Sequence, residues 1–161
     1  MKDIARKLIV DCLVCAIVFA VVLYGCASNR PDEKTALKIV IAKYNNALVE
    51  AYKDQSFEPL KAVAAADEVS KVDTIVSSYL QANQIMEADL RKIDFKDIKI
   101  KGDKAAVKTS EDWSYRWIDY RTGKEIEPLK PVHYEMVYHL IKKDRKWLVE
   151  KVEETGEGKR P

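Results

Sequence analysis

The chain has no cysteine beyond Cys26; its three cysteines, Cys12, Cys15 and Cys26, all stand near the N-terminus. The body that follows can form no disulfide and offers no thiolate nucleophile or cysteine-based zinc site. Glycine is scarce as well. The five glycines, at 25, 102, 123, 156 and 158, are too scattered to build a loop that cradles phosphate. No G-x-S-x-G elbow and no H-E-x-x-H pair occurs, so the sequence lacks the signatures of a serine hydrolase and of a zinc protease. Charge of one sign is missing too. Beyond residue 25 there are 25 basic and 24 acidic residues, and the densest basic cluster is "KKDRK" at 142–146. A nucleic-acid-binding domain carries a basic stripe, whereas this mixture reads as a solvated surface.

One long apolar run is present, and it comes first. "MKDIARK" carries three positive charges, and an uninterrupted apolar stretch extends from Cys12 to Tyr24. A basic start and an apolar stretch of this length fit an export signal. A membrane-spanning helix needs roughly 20 apolar residues, which here would draw Asp11 into the bilayer. At the end of the run, Leu23-Tyr24-Gly25-Cys26 resembles the lipobox of bacterial lipoproteins, with Tyr24 standing where that family usually has a small residue. The resemblance implies a lipid on Cys26, which would begin the mature chain and tie it to the outer side of a membrane. An uncut anchor and ordinary cleavage before Ser28 are the alternatives. All three place the body outside the cytoplasm.

Residues 26–34 read as a polar tether, and 35–154 as one domain with a single core, since about 135 residues suffice for that. Leu37, Val40, Ile41, Tyr44, Leu48 and Tyr52 follow helical spacing, with Asp32 as N-cap. Ser56 is the expected cap of a short second helix with Pro59 in its first turn. Asp67 is the expected cap of a third, whose stripe runs from Val69 and Val72 through Ile75, Val76, Tyr79 and Leu80 to Met86 and Leu90. The period then becomes two. Ile93 and Phe95 alternate, and Ile98 and Ile100 resume out of phase, as at a bulge. Glu111, Trp113, Tyr115 and Trp117 share one face of a second strand; Tyr134, Met136 and Tyr138 share one face of a third; Trp147 and Val149 mark a fourth. Pro128 and Pro131 assign their stretch to a loop, and 155–161 to a disordered tail.

Helices followed by an antiparallel meander make an α+β domain, with helices packed on one face of a curved four-stranded sheet. The pattern resembles the NTF2-like (cystatin-like, SnoaL-like) superfamily. "KAAVKTSEDWSYRW" and "VHYEMVYHLIKKDRKWLVEKV" resemble the last strands of the IMS domain of plastid-division proteins and its bacterial relatives. The superfamily implies a pocket between helices and sheet. That makes Trp113, Tyr115, Trp117, Tyr134, Met136 and Tyr138 the candidate face for a ligand or partner, although aromatic strand stripes also serve simply as packing.

His133, Glu135 and His139 fall on one face of the third strand. The two histidines are roughly 20 Å apart along an extended strand, so one ion cannot take both, and Asp112 or Arg116 would have to complete any site. Solvent-facing histidines are the simpler reading, and neither a metal nor a cofactor is expected. Three functions remain open. A non-catalytic binding or assembly module, anchored through Cys26, would use the aromatic face for a protein partner, a second copy or a small apolar ligand. An enzyme of the SnoaL or ketosteroid-isomerase kind would need an inward acid, for which Glu111 is the strand position. A purely structural envelope protein would need neither.

Overall fold

The computed structural model describes residues 31–157; the apolar run, Cys26 and residues 158–161 lie outside them. Helix α1 (Glu33–Asp54) begins at the expected cap. The Asp32 carboxylate accepts from the backbone N–H groups of Lys34 and Thr35 at 3.0 and 3.1 Å, satisfying two donors that a helix start leaves open. The helix ends where Gln55 turns left-handed (φ 58°) and its N–H donates to the Ala51 carbonyl. Its inward stripe, Leu37, Ile41, Tyr44, Ala47 and Ala51, is buried.

The next two helices depart from the expected caps. The single turn α2 (Glu58–Lys61) follows Phe57, and α3 (Ala66–Gln81) follows Ala65; neither preceding residue makes a side-chain cap, so Ser56 and Asp67 do not serve as caps. The reason is tertiary. The Ala65 N–H donates to the Val149 carbonyl and the Val149 N–H donates to the Val63 carbonyl, both at 2.8 Å. This bridge to the sheet sets the entry to α3 and leaves Asp67 in the first turn, where its charge suits the helix dipole. The expected helical stripe through Met86 and Leu90 is also cut short. Asn83 turns with φ 58°, and Met86 and Leu90 belong to strand β1 (Gln84–Lys101), where Met86 pairs with Trp117.

Strands β1, β2 (Lys104–Asp119), β3 (Glu125–Lys143) and β4 (Lys146–Glu157) form one antiparallel sheet in chain order. The expected irregularity in β1 is a register shift between Phe95 and Asp97, joined by another between Leu90 and Lys92. Such bulges bend a strand and increase its twist, and here they accompany a sheet wrapped over the helices. The loop expected around Pro128 and Pro131 is strand instead. Pro131 pairs with Ser114 of β2, and Pro128 falls in the register shift between the Tyr115–Lys130 and Trp117–Glu127 pairs, an irregularity of the kind that accommodates a proline within a strand. At the far end Glu157 pairs with Tyr134, which puts residues 155–157 in the sheet and not in a frayed tail.

The helix-facing side of β2 changes character along its length. Ala105 and Val107 join Leu37, Ile41, Leu60, Leu140 and Val149 in a filled apolar core. Thr109 and Glu111 follow, both buried, and then come three aromatic residues that are only half-buried. The core is closed at one end of the sheet and open at the other. Asp32→Ala should lower stability by about 1 kcal/mol, while Ser56→Ala should stay within about 0.5 kcal/mol; urea unfolding of the two variants measures both.

Candidate functional site

A cavity of about 430 Å³ lies at the open end, between α1, α3 and the concave face of the sheet. All six residues of the expected aromatic face border it. Trp113, Tyr115 and Trp117 come from β2, and Tyr134, Met136 and Tyr138 from β3. They are not an open sheet surface, because the helices roof them. The Trp117 ring meets Tyr79 of α3 edge-on at 4.6 Å between centroids and Tyr115 at 6.5 Å, and Tyr79 lies 6.2 Å from Tyr52 of α1. Edge-to-face rings at these separations attract through their quadrupoles and resist rearrangement.

The floor of the cavity is polar, and it is buried. Glu111 is 1% exposed and Glu68, from the first turn of α3, is 3% exposed. Buried carboxylates need donors, and these are supplied from three elements. Glu111 Oε1 accepts from the Thr109 hydroxyl at 2.7 Å and the Tyr138 hydroxyl at 2.8 Å, and its Oε2 accepts from the Trp113 indole at 2.8 Å. Glu68 Oε1 accepts from the Tyr44 hydroxyl at 2.7 Å, and its Oε2 lies 3.7 Å from the Lys71 ammonium. Burial pushes the Tyr44 and Tyr138 hydroxyls up, with Glu68 adding to the first and Glu111 to the second. Both therefore stay protonated donors. Their rings meet edge-on at 6.0 Å, so the two carboxylate clusters share one floor.

Asn45 completes the floor and carries a decision about its amide. Its oxygen is placed 3.0 Å from the Tyr138 hydroxyl, and its Nδ2 has no partner. A hydroxyl has one hydrogen, and the charge-assisted bond to Glu111 uses it. The facing atom of Asn45 is then the donor nitrogen, which turns the amide from its placed orientation to satisfy the network. The amide oxygen is left as a buried acceptor at the cavity, on a residue 1% exposed.

On the opposite face of the sheet the two histidines are separated, as their spacing demands. His133 lies 2.6 Å from Asp112 and 3.1 Å from Glu135, while His139 pairs with Glu153 at 2.9 Å. Arg116 is engaged by Glu87 and Glu125. Among the described residues no group of His, Cys, Asp and Glu is arranged to hold a metal ion, and no helix is long and apolar enough to cross a membrane.

The six residues expected on β2 and β3 border the cavity, whereas Met86, Ala88 and Glu154 of the outer strands and the helical Tyr44, Asn45, Tyr52, Glu68, Lys71 and Tyr79 were not among the expected site residues. A signal existed for two of them. Asn45 adjoins Tyr44 on the apolar stripe of α1, and Glu68 stands four residues before Val72 and eight before Val76 on that of α3. A polar residue in phase with a buried stripe marks either a hydrogen-bonded floor or a site.

No protein-family model and no curated protein matches the sequence. Among solved structures the chain is similar to the intermembrane space region of the chloroplast protein ARC6, with 16% identity and a TM-score of 0.67 over 78% of this chain and 97% of that one. It is also similar to a conserved protein from Planctomyces limnophilus, at 14% identity and TM-score 0.53 over 76% and 94% of the two chains. A ketosteroid isomerase-like protein from Erwinia carotovora atroseptica matches at 12% identity and TM-score 0.54 over 79% and 99%. Identities this low establish the fold alone, an α+β architecture consistent with the NTF2-like class.

Glu111→Leu should cost about 3 kcal/mol or more, because the buried Thr109 and Tyr138 hydroxyls and the half-buried Trp113 indole lose their acceptor; Glu111→Gln, which keeps one acceptor oxygen, should cost less, and denaturant unfolding compares them. His133 titrates upward because Asp112, and then Glu135, hold its charged form. A raised folded value contributes stability below the ordinary histidine pKa and loses it as pH rises through the folded one. The stability advantage of the native protein over His133→Asn should therefore be full below the ordinary histidine pKa and shrink as pH rises through the raised folded one, with the His133 ring titrating above its ordinary value by NMR.

Proposed function

We propose that the domain is a non-catalytic binding module that takes a small ligand into the cavity between its helices and sheet. The observation that carries this is the cavity itself: about 430 Å³, walled by aromatic rings and floored by buried, hydrogen-bonded polar groups. Small-molecule sites have this composition and a volume of roughly 300–1,000 Å³. A partner protein docking flat on the aromatic strands is disfavoured, since α1 and α3 cover them; a second copy meets the same obstacle. The module works on the extracytoplasmic side of a bacterial membrane, held there by a lipid on Cys26. Support for this is the basic start, the apolar run to Tyr24 and the Leu23–Cys26 pattern.

One observation favours a second reading, acid–base catalysis of the ketosteroid-isomerase kind. Glu68 and Glu111 are inward carboxylates in a largely apolar cavity, the setting such a base requires. Glu111 suits the part poorly, because three donors already occupy most of the roughly four lone-pair positions of a carboxylate. Glu68, with one close donor, is the better base.

A panel of small aromatic compounds, followed through tryptophan fluorescence, tests the binding role. Binders are expected, and Ala88→Phe, which fills the cavity beside Tyr115, should abolish their binding without unfolding the sheet. If a bound carbon acid exchanges its α-proton with D2O faster in the presence of the protein, the module is an enzyme and Glu68→Gln should stop the exchange. The anchoring role is tested by the intact mass of the membrane-extracted protein, which should begin at Cys26 and carry added acyl mass.

A further inference from the structure

We propose that the ligand of this cavity is an organic cation: a small protonated amine whose apolar body lies on the aromatic wall and whose N–H donors meet Asn45 and Glu68. The proposal rests on the cavity being a binding site. Its first support is charge. Three carboxylates, Glu68, Glu111 and Glu154, line the cavity against one cation, Lys71. Two of the three are buried, where an anion without a positive partner is costly. A cationic ligand supplies what the wall lacks.

The second support is the direction of the hydrogen bonds. The donors on the floor are spent, with Tyr44 on Glu68 and with Thr109, Trp113 and Tyr138 on Glu111. The floor is left with acceptors. With the Asn45 amide turned so that its nitrogen faces the Tyr138 hydroxyl, its oxygen takes the buried position that is without a partner, and Glu68 Oε2 has an ammonium 3.7 Å away. A ligand that brings donors finds acceptors on this floor, while the wall hydroxyls of Tyr52, Tyr79 and Tyr115 can donate or accept.

The wall and Lys71 agree with this. Ring faces and edges from Tyr52, Tyr79, Tyr115 and Trp117 enclose the space above the floor, and such rings attract cations. Lys71 shows what Glu68 already accepts: its ammonium lies between the carboxylate and the Val152 carbonyl, 3.3 Å away. That side chain is half exposed, so a ligand amine can displace it. Lys71 is thus a built-in competitor at the mouth.

Three probes of one shape decide the matter on the full chain: 2-phenylethylammonium, the neutral 2-phenylethanol and the anionic phenylacetate, each titrated calorimetrically at low salt. The ammonium should bind about tenfold more tightly than the alcohol, and phenylacetate more weakly than either. Glu68→Gln, which keeps an acceptor for Tyr44, should weaken the ammonium far more than the alcohol and so remove the difference between them. Lys71→Gln should tighten the ammonium, the opposite of what general damage to the site would do. If the alcohol binds the native protein as tightly as the ammonium, the cation proposal is overturned and the cavity remains a binding site. If none of the three binds to the folded protein at millimolar concentration, the binding reading falls with it.

Discussion

Two carboxylates are kept from water in a domain that has no disulfide in its body, and the interior is arranged around their need for donors. Glu111 draws on Thr109 and Trp113 of its own strand and on Tyr138 of the next; Glu68 draws on Tyr44 of another helix. The network therefore links α1, α3, β2 and β3. Because side chains alternate along a strand, a slip of one residue in β2 would turn Glu111, Thr109 and the aromatic set to the outer face together. Strand register and polar satisfaction are one constraint here.

That constraint also explains why the cavity stands where it does. Toward Val107 and Leu140 the helices and sheet interdigitate with aliphatic side chains and close. Beyond Glu111 the wall is made of large flat rings that contact one another edge-on. Planar rings held by their neighbours cannot collapse into the remaining space as flexible aliphatic chains would. The bulges of β1, one of them beside Leu90 where it pairs with Trp113, bend the sheet along the same stretch. A space bordered by rings above and carboxylates below follows from these two features.

Much of the fold was legible because it follows period. The switch from 3.6 to two, the Asp32 cap and the phase break after Phe95 all report local geometry, and each has its counterpart in the structure. The errors fall where a distant segment overrides a local preference. Ser56 and Asp67 are good capping residues by type, yet the bridge from Val63 and Ala65 to Val149 sets the start of α3. Met86 and Leu90 fit a helical stripe by spacing, but pairing with β2 claims them for the sheet. Pro128 and Pro131 resemble loop residues until the pairing of their stretch with Ser114, Tyr115 and Trp117 of β2 is known.

The sequence by itself determined the order of elements, which face of each central strand is apolar and which residues of β2 and β3 make up its aromatic stripe, since alternation and helical period are properties of neighbouring residues. Only the tertiary structure decided that Glu68 and Asn45 share a floor with Glu111. It also decided that the Tyr138 hydroxyl joins Asn45 to Glu111, and that the wall encloses a cavity in place of a solid core. These depend on the packing of α1 and α3 across the sheet, between residues as far apart in the chain as Asn45 and Tyr138. Burial makes such contacts decisive: a carboxylate in water needs no particular partner, and a carboxylate shut away from water must find one.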